Sequence, residues 1–250
     1  DLAGNYLYNG SINSVIEESS SITYLEDGKR ILNDQSGNGT TKTQGHRFGV
    51  RLEHKFSENT SIIFEPQVNF GNGDYSEYSS FKTSSSESKT NGFTDNHGFN
   101  DNWSTSGFLL FRQRLGKPGR TISANVRYSF SNNSLDGENQ SLTRIEDKDE
   151  QPVVVNQRID QTSKSSSLTG RIVYTEPLGH DLFLEANYQY SWNRNISDKL
   201  AYNSGNIEDP IPQDATHLKY ISDGEEKDET YSNEILNRSA SQRAGVNLSY

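Results

Sequence analysis

The sequence predicts an all-β fold, an antiparallel transmembrane β-barrel, on three observations. Segments of about ten residues, the length of a membrane-spanning strand, alternate apolar with polar side chains. The connections between them alternate between tight turns and long polar stretches. Aromatic rings gather where the apolar segments end. Successive side chains of a strand point to opposite faces, so each segment has one apolar and one polar face. Strict alternation of short and long connections puts all the long ones at one end of the strands. A soluble sandwich gives no reason for that; an outer-membrane barrel, with short periplasmic turns and long extracellular loops, does.

Composition fits the same class. Only 30% of the residues are hydrophobic and the mean hydropathy is −0.88, below the roughly 45–50% apolar content of a soluble globule. The apolar residues are concentrated in runs, and 13 Tyr, 11 Phe and 2 Trp are too many for simple disorder. No stretch reaches the ~18–20 consecutive apolar residues of a membrane helix, which excludes helical spanning only. Without cysteine there is no disulfide frame or thiolate site. A net charge of −10 gives no support to nucleic-acid binding. With no Met at position 1 and no signal peptide visible, the chain reads as a mature segment or an excised piece.

Eight strands are expected, near 1–12, 46–56, 61–70, 103–115, 121–130, 167–175, 181–192 and 239–250. The clearest pair is HRFGVRLEHKF and SIIFEPQVNF, joined by SENT as an antiparallel hairpin. Phe48, Val50, Leu52 and Phe56 share one parity there, as do Ile62, Phe64, Pro66, Val68 and Phe70. Pro66 withholds a ladder donor and so suggests an edge or a bulge. In WSTSGFLLFRQRL both parities carry apolar residues, and Arg112 and Arg114 decide between them. They cannot face lipid, so Trp103, Gly107, Leu109, Phe111 and Leu115 form the outward set. TISANVRYSF, SLTGRIVYT, DLFLEANYQYSW and SASQRAGVNLSY alternate in the same way. Tight turns fall at 57–60, 116–120 and 176–180, and the stretches between the other strands read as four long polar loops.

Phe70, Trp103, Phe130 and Trp192 sit where strands meet long loops, and Phe56, Phe111 and Tyr174 lie near the tight turns. Together they read as two interface girdles. The inward parity collects Arg51, Glu53, Glu65, Arg112, Arg114, Arg127, Arg171, Glu185 and Arg243. The simpler reading is a ladder of cross-strand ion pairs in a polar lumen. The other is a charged lumen that attracts anionic solute or docks a plug. The acidic connection 193–237, with Asp198, Glu208, Asp209, Asp214, Asp223, Glu225, Glu226, Asp228, Glu229 and Glu234, lacks calcium-loop spacing in DGEEKDE and reads as solvated surface. His46, His54, His97, His180 and His217 are scattered. His54 faces outward but at the tight-turn end, away from where a barrel lipase would work, so no catalytic site, metal or cofactor is expected.

HRFGVRLEHKFSENTSIIFEPQVNF with the Ser/Asn-rich stretch after it, RTISANVRYSFSNN and DLFLEANYQYSWNRN resemble the outer-membrane β-barrel family close to the TonB-dependent receptors. The resemblance covers most of the chain as pattern and local phrasing, without a ligand motif. It implies a slice of wall from a barrel of about 22 strands, in the outer membrane of a Gram-negative bacterium. It also implies import of an unidentified solute, with outer-membrane lipid, a plug domain and an energy-coupling protein as partners beyond this stretch. No segment resembles the plug itself. RAGVNLSY resembles the signal read by the barrel-assembly machinery, which keeps open a complete eight-stranded barrel with a structural or adhesive role. A secreted β-rich binding module is the third alternative.

Overall fold

The computed structural model describes every residue except 27, 147–150, 180, 206–210, 213–214 and 250. Glu208, Asp209, Asp214, His180 and Tyr250, singled out above, lie outside the described residues. The fold is all-β. Strands β1 (Leu2–Tyr24), β2 (Arg30–Ser57), β3 (Thr60–Ser84), β4 (Lys89–Arg114), β5 (Thr121–Ile145), β6 (Val153–Pro177) and β7 (Phe183–Asn203) pair with their sequence neighbours as an antiparallel meander. The two-residue β8 (Glu226–Lys227) and β9 (Asn233–Ser249) both pair with β7. Among the described residues β1 pairs only with β2 and β9 only with β7, so the sheet is open at both sides.

The strands are much longer than expected. β2 has 28 residues and β3 has 25, roughly 80–90 Å at about 3.3 Å per residue, against a hydrocarbon core of about 30 Å. Three of the expected long loops are in fact strand, closed at the far end by the short connections 25–29, 85–88 and 146–152. Only 204–232 remains a long connection, with β8 inside it. The error has a physical cause. Extended Ser-, Thr-, Asn- and Gly-rich chain has no apolar periodicity to announce a strand, yet its backbone ladder is complete and its short polar side chains bond across it. Ser11 and Thr43 hydroxyls stand 2.7 Å apart, Gln44 Nε2 donates to Asn72 Oδ1 at 2.9 Å, and Ser165 Oγ donates to Asn195 Oδ1 at 2.7 Å. Pro66 lies neither at an edge nor in a recorded bulge. It sits inside β3, pairs with Gly107 on one side, and leaves a gap in the β2–β3 ladder between Gly49↔Gln67 and Leu52↔Phe64.

The register brings like faces together. Leu2, Leu52, Phe64, Leu109, Val126, Gly170 and Tyr190 are consecutive partners across seven strands. That row puts Leu109 and Phe111 on the apolar face of β4, as Arg112 and Arg114 require. On this face the Tyr128 ring lies over its partner Gly107, where a Cβ would meet ring carbon at 2.4 Å. Tyr6, Phe48 and Phe70 form an aromatic ladder across β1–β3, with centroids 4.7 and 5.9 Å apart.

Candidate functional site

The register places Arg51, Glu53, Glu65, Arg112, Arg114, Arg127, Arg171, Glu185 and Arg243 on one face, opposite the apolar one. Arg51 is the hub. It bonds to Glu65 through Nη1 and approaches Glu53 Oε2 with Nη2 at 3.3 Å. Next along that row, Phe108 is the partner of both Glu65 and Arg127, and the Arg127 guanidinium lies 5.2 Å above the Phe108 ring. Arg171 and Glu185 come to 3.9 Å. Arg112, Arg114 and Arg243 have no carboxylate within ion-pair distance among the described residues. The ion-pair ladder is therefore partial, and the face carries surplus positive charge. A groove of about 740 Å³ is lined by Ala3, Arg51, Glu65, Phe108, Arg127 and Thr169 among others. A second, of about 840 Å³, holds Glu53, Lys55, Arg112 and Arg114 near the tight turns. Arg47, which donates to Gln67 on this face, belongs with the set and follows from the same parity.

All seven expected girdle residues lie on the apolar face. Phe70 and Trp103 are direct partners. The Trp103 row continues to Asn132, Lys164 and Ile196, so Phe130 sits two residues, and Trp192 four, nearer the tight turns. Such a drift is what strands tilted against a level belt produce. At the other end the Phe111 row contains His54 and Ile172, with Phe56 and Tyr174 two residues beyond it. His54 packs edge-on against Phe56 at 4.6 Å, which accounts for that histidine structurally. From Trp103 to Phe111 the apolar band is nine residues, about 27 Å along the strand, within the about 9–11 residues that a tilted barrel strand uses to span a membrane.

Two polar clusters were not foreseen. Just past Tyr174, Arg120 grips Glu176 through Nε and Nη2, both at 2.7 Å, tying the β4–β5 turn to the end of β6. The Arg120 hydrogen bonds, then the Tyr174 hydroxyl, hold the Glu176 carboxyl down to about 2. At the opposite end the connection after β7 folds back onto β5, β6 and β7. Arg158 Nη2 donates to Glu225 Oε1 at 2.8 Å, and the Arg158 guanidinium lies 4.6 Å above the Tyr202 ring. Tyr220 donates its hydroxyl proton to Glu225 Oε2. Asn156 Nδ2 donates to the Lys219 carbonyl at 2.9 Å, and the Leu218 amide donates to Gln140 Oε1 at 3.2 Å. Leu142, Phe93 and Gln140 are buried on the same face. Burial, then the Glu225 contact, pushes the Tyr220 phenol up to about 12. The Arg158 hydrogen bond holds the Glu225 carboxyl below its ordinary range. Part of the acidic connection is thus docked rather than solvated: Glu225 bonds Arg158, and Asp228 accepts from Gln157 Nε2 at 3.0 Å and Asn203 Nδ2 at 3.1 Å.

A sheet with one ringed apolar face and one polar, charged face has the build of a membrane-barrel wall. Residues 113–223, from the end of β4 into the β7–β9 connection, match the family model described as "Outer membrane protein beta-barrel family". The match covers 111 of the 250 residues and agrees with an outer-membrane localisation. No curated protein matches the chain. Among solved structures, the crystal structure of Acinetobacter baumannii OccAB4 aligns over 98% of this chain and 96% of its own, at 7% identity and a TM-score of 0.13. A likeness that low carries no argument.

Proposed function

We propose that this chain is a stretch of outer-membrane β-barrel wall with a structural role, its strands crossing the bilayer near the tight turns and continuing outward as a tall polar wall. The carrying observation is the nine-residue apolar band, ringed by aromatics and continuous across neighbouring strands. Both tryptophans, Trp103 and Trp192, belong to its outer ring, which makes them native depth probes. With the chain folded into bilayers of brominated phosphatidylcholine, bromine placed high on the acyl chain should quench them more than bromine near the bilayer centre. No quenching by either lipid overturns the reading.

A second reading is favoured by the surplus arginine and the open sides of the sheet. In it the wall belongs to a TonB-dependent-receptor-like importer of unidentified solute, with a wide lumen, a plug domain and an energy-coupling protein elsewhere. Confined charges need partners, and an unpaired one costs several kcal/mol in a narrow interior; a lumen holding water or a plug removes that cost. Cysteines at Asn5 and Asn247, and at one-residue shifts around them, test it. No disulfide should form within one chain. Efficient crosslinking means an eight-stranded closure and excludes the importer.

A further inference from the structure

Three cations stand together on the apolar face just outside the aromatic ring. Arg194 lies two residues beyond Trp192 and is the direct partner of Arg238 on β9. Lys164 of β6 pairs with Ile196, one side-chain step further out, while Arg194 itself pairs with Ser166. Like charges side by side on a sheet repel, and none of the three has a carboxylate within ion-pair distance among the described residues. Elsewhere on this face Arg158 bonds Glu225 at 2.8 Å, and Lys42 and Lys82 have acids, Asp74 and Asp34, as direct strand partners, though not within ion-pair distance. Along the same strands the acids Asp160, Asp198 and Glu234 each lie four residues outward of Lys164, Arg194 and Arg238, about 13 Å away; across the ladder Asp198 comes nearer to Lys164, one side-chain step beyond its partner Ile196.

Two buried polar atoms nearby lack partners. Arg194 Nε is buried without a hydrogen-bond partner among the described residues, and so is Oδ1 of Asn132, the direct partner of Lys164. The buried Nε leaves the terminal nitrogens of Arg194, with Lys164 and Arg238, to meet an anion with several acceptor oxygens. Depth selects which anion. Trp192 belongs to the ring that sits at headgroup level in an outer-membrane barrel, so groups one step beyond it meet lipid phosphate. We propose that Lys164, Arg194 and Arg238 form a binding site for the phosphate of an anionic lipid headgroup on the outer face of the wall. This rests on the membrane reading above.

The test uses the whole chain folded into bilayers of phosphatidylcholine doped with spin-labelled lipid, the label carried on phosphatidic acid or on phosphatidylcholine. The wild-type chain should immobilise phosphatidic acid in preference to phosphatidylcholine. The triple variant Lys164→Gln, Arg194→Gln, Arg238→Gln should lose that preference by on the order of a hundredfold, each cation near a membrane surface contributing roughly fivefold. Lys42→Gln should leave it unchanged, and added inorganic phosphate should not displace the lipid. Equal preference in the wild-type chain and the triple variant, with both inserted as judged by heat-modifiable gel mobility, overturns the site and leaves the membrane reading standing. Displacement by inorganic phosphate overturns the lipid assignment. A wild-type chain that fails to insert overturns both.

Discussion

Val126 sits near the middle of the apolar band, and an arginine there provides the sharpest test of the two faces. Its row runs through Leu52, Phe64, Leu109 and Tyr190. Phe130 and Ile122 lie four residues away on either side, about 13 Å each. Arginine on the lipid face of a barrel costs about 2–4 kcal/mol at mid-depth. Asn125 points the other way, between Leu110 and Arg171; arginine there adds one like-charge neighbour, worth about 0.2–1 kcal/mol. Val126→Arg should therefore be the less stable by about 2 kcal/mol, roughly thirtyfold in the folding constant. Urea unfolding in phosphatidylcholine vesicles, followed by Trp fluorescence, measures both variants against the wild type. Equal penalties would show that the two faces meet the same medium, and the membrane reading would fall.

Further outcomes follow from particular contacts. Gly107→Val should cost about 1–3 kcal/mol, because its Cβ would lie 2.4 Å from the Tyr128 ring; at Gly170 nothing lies within 4 Å, so Gly170→Ala should stay within about 0.5 kcal/mol in the same unfolding assay. Glu225 is held below its ordinary 4.5 by Arg158, so its contribution to the latch, the Arg158–Glu225 contact that holds the connection after β7 against β6, is present above that value and lost as pH falls through the depressed one. Limited proteolysis should then cut residues 211–225 faster in acid than at neutral pH, and Glu225→Gln should be cut at neutral pH as fast as the wild type is in acid. A peptide tag inserted at Ser86, in the β3–β4 turn, should be labelled on intact cells, whereas one at Lys117 should need permeabilised membranes; the reverse pattern would invert the topology.

The faces of the sheet were legible because strand periodicity is two and the apolar band must be continuous. Even β4, apolar on both parities, was resolved by two arginines, and the register agrees through Phe64↔Leu109 and Ile62↔Phe111. The height of the strands was not legible. In FGNGDYSEYSSFKTS neither face is apolar, so nothing in the pattern separates a strand in water from a loop, although the ladder runs unbroken from Phe70↔Trp103 to Ser84↔Lys89. The latch was hidden for another reason. Arg158 and Glu225 are 67 residues apart, and only the doubling back of the chain after β7 makes them neighbours. The charged set was found by parity, but parity cannot say which charges pair: Arg51 takes two of the three glutamates, and the side chain nearest Arg127 is Phe108 rather than an acid.

That uneven pairing bears on how the sheet is completed. Leu2 on β1 and Val246 on β9 are 75% and 70% exposed, at the two open sides of the apolar band. Unpaired backbone is intolerable in hydrocarbon, so on the proposed membrane reading both sides would need strands against them. If β9 met β1, its 17 residues would face 23, leaving the outer end of β1 bare. On that reading the outer end would stand in water, where an unpaired ladder is solvated, so the mismatch would cost little. The charged face weighs more. An eight-strand closure would fill its interior with side chains and crowd Arg112, Arg114 and Arg243 together, with the carboxylates of Glu53 and Glu65 already engaged by Arg51. Strands from elsewhere, set against β1 and β9, would widen the lumen and let those three guanidinium groups keep their water.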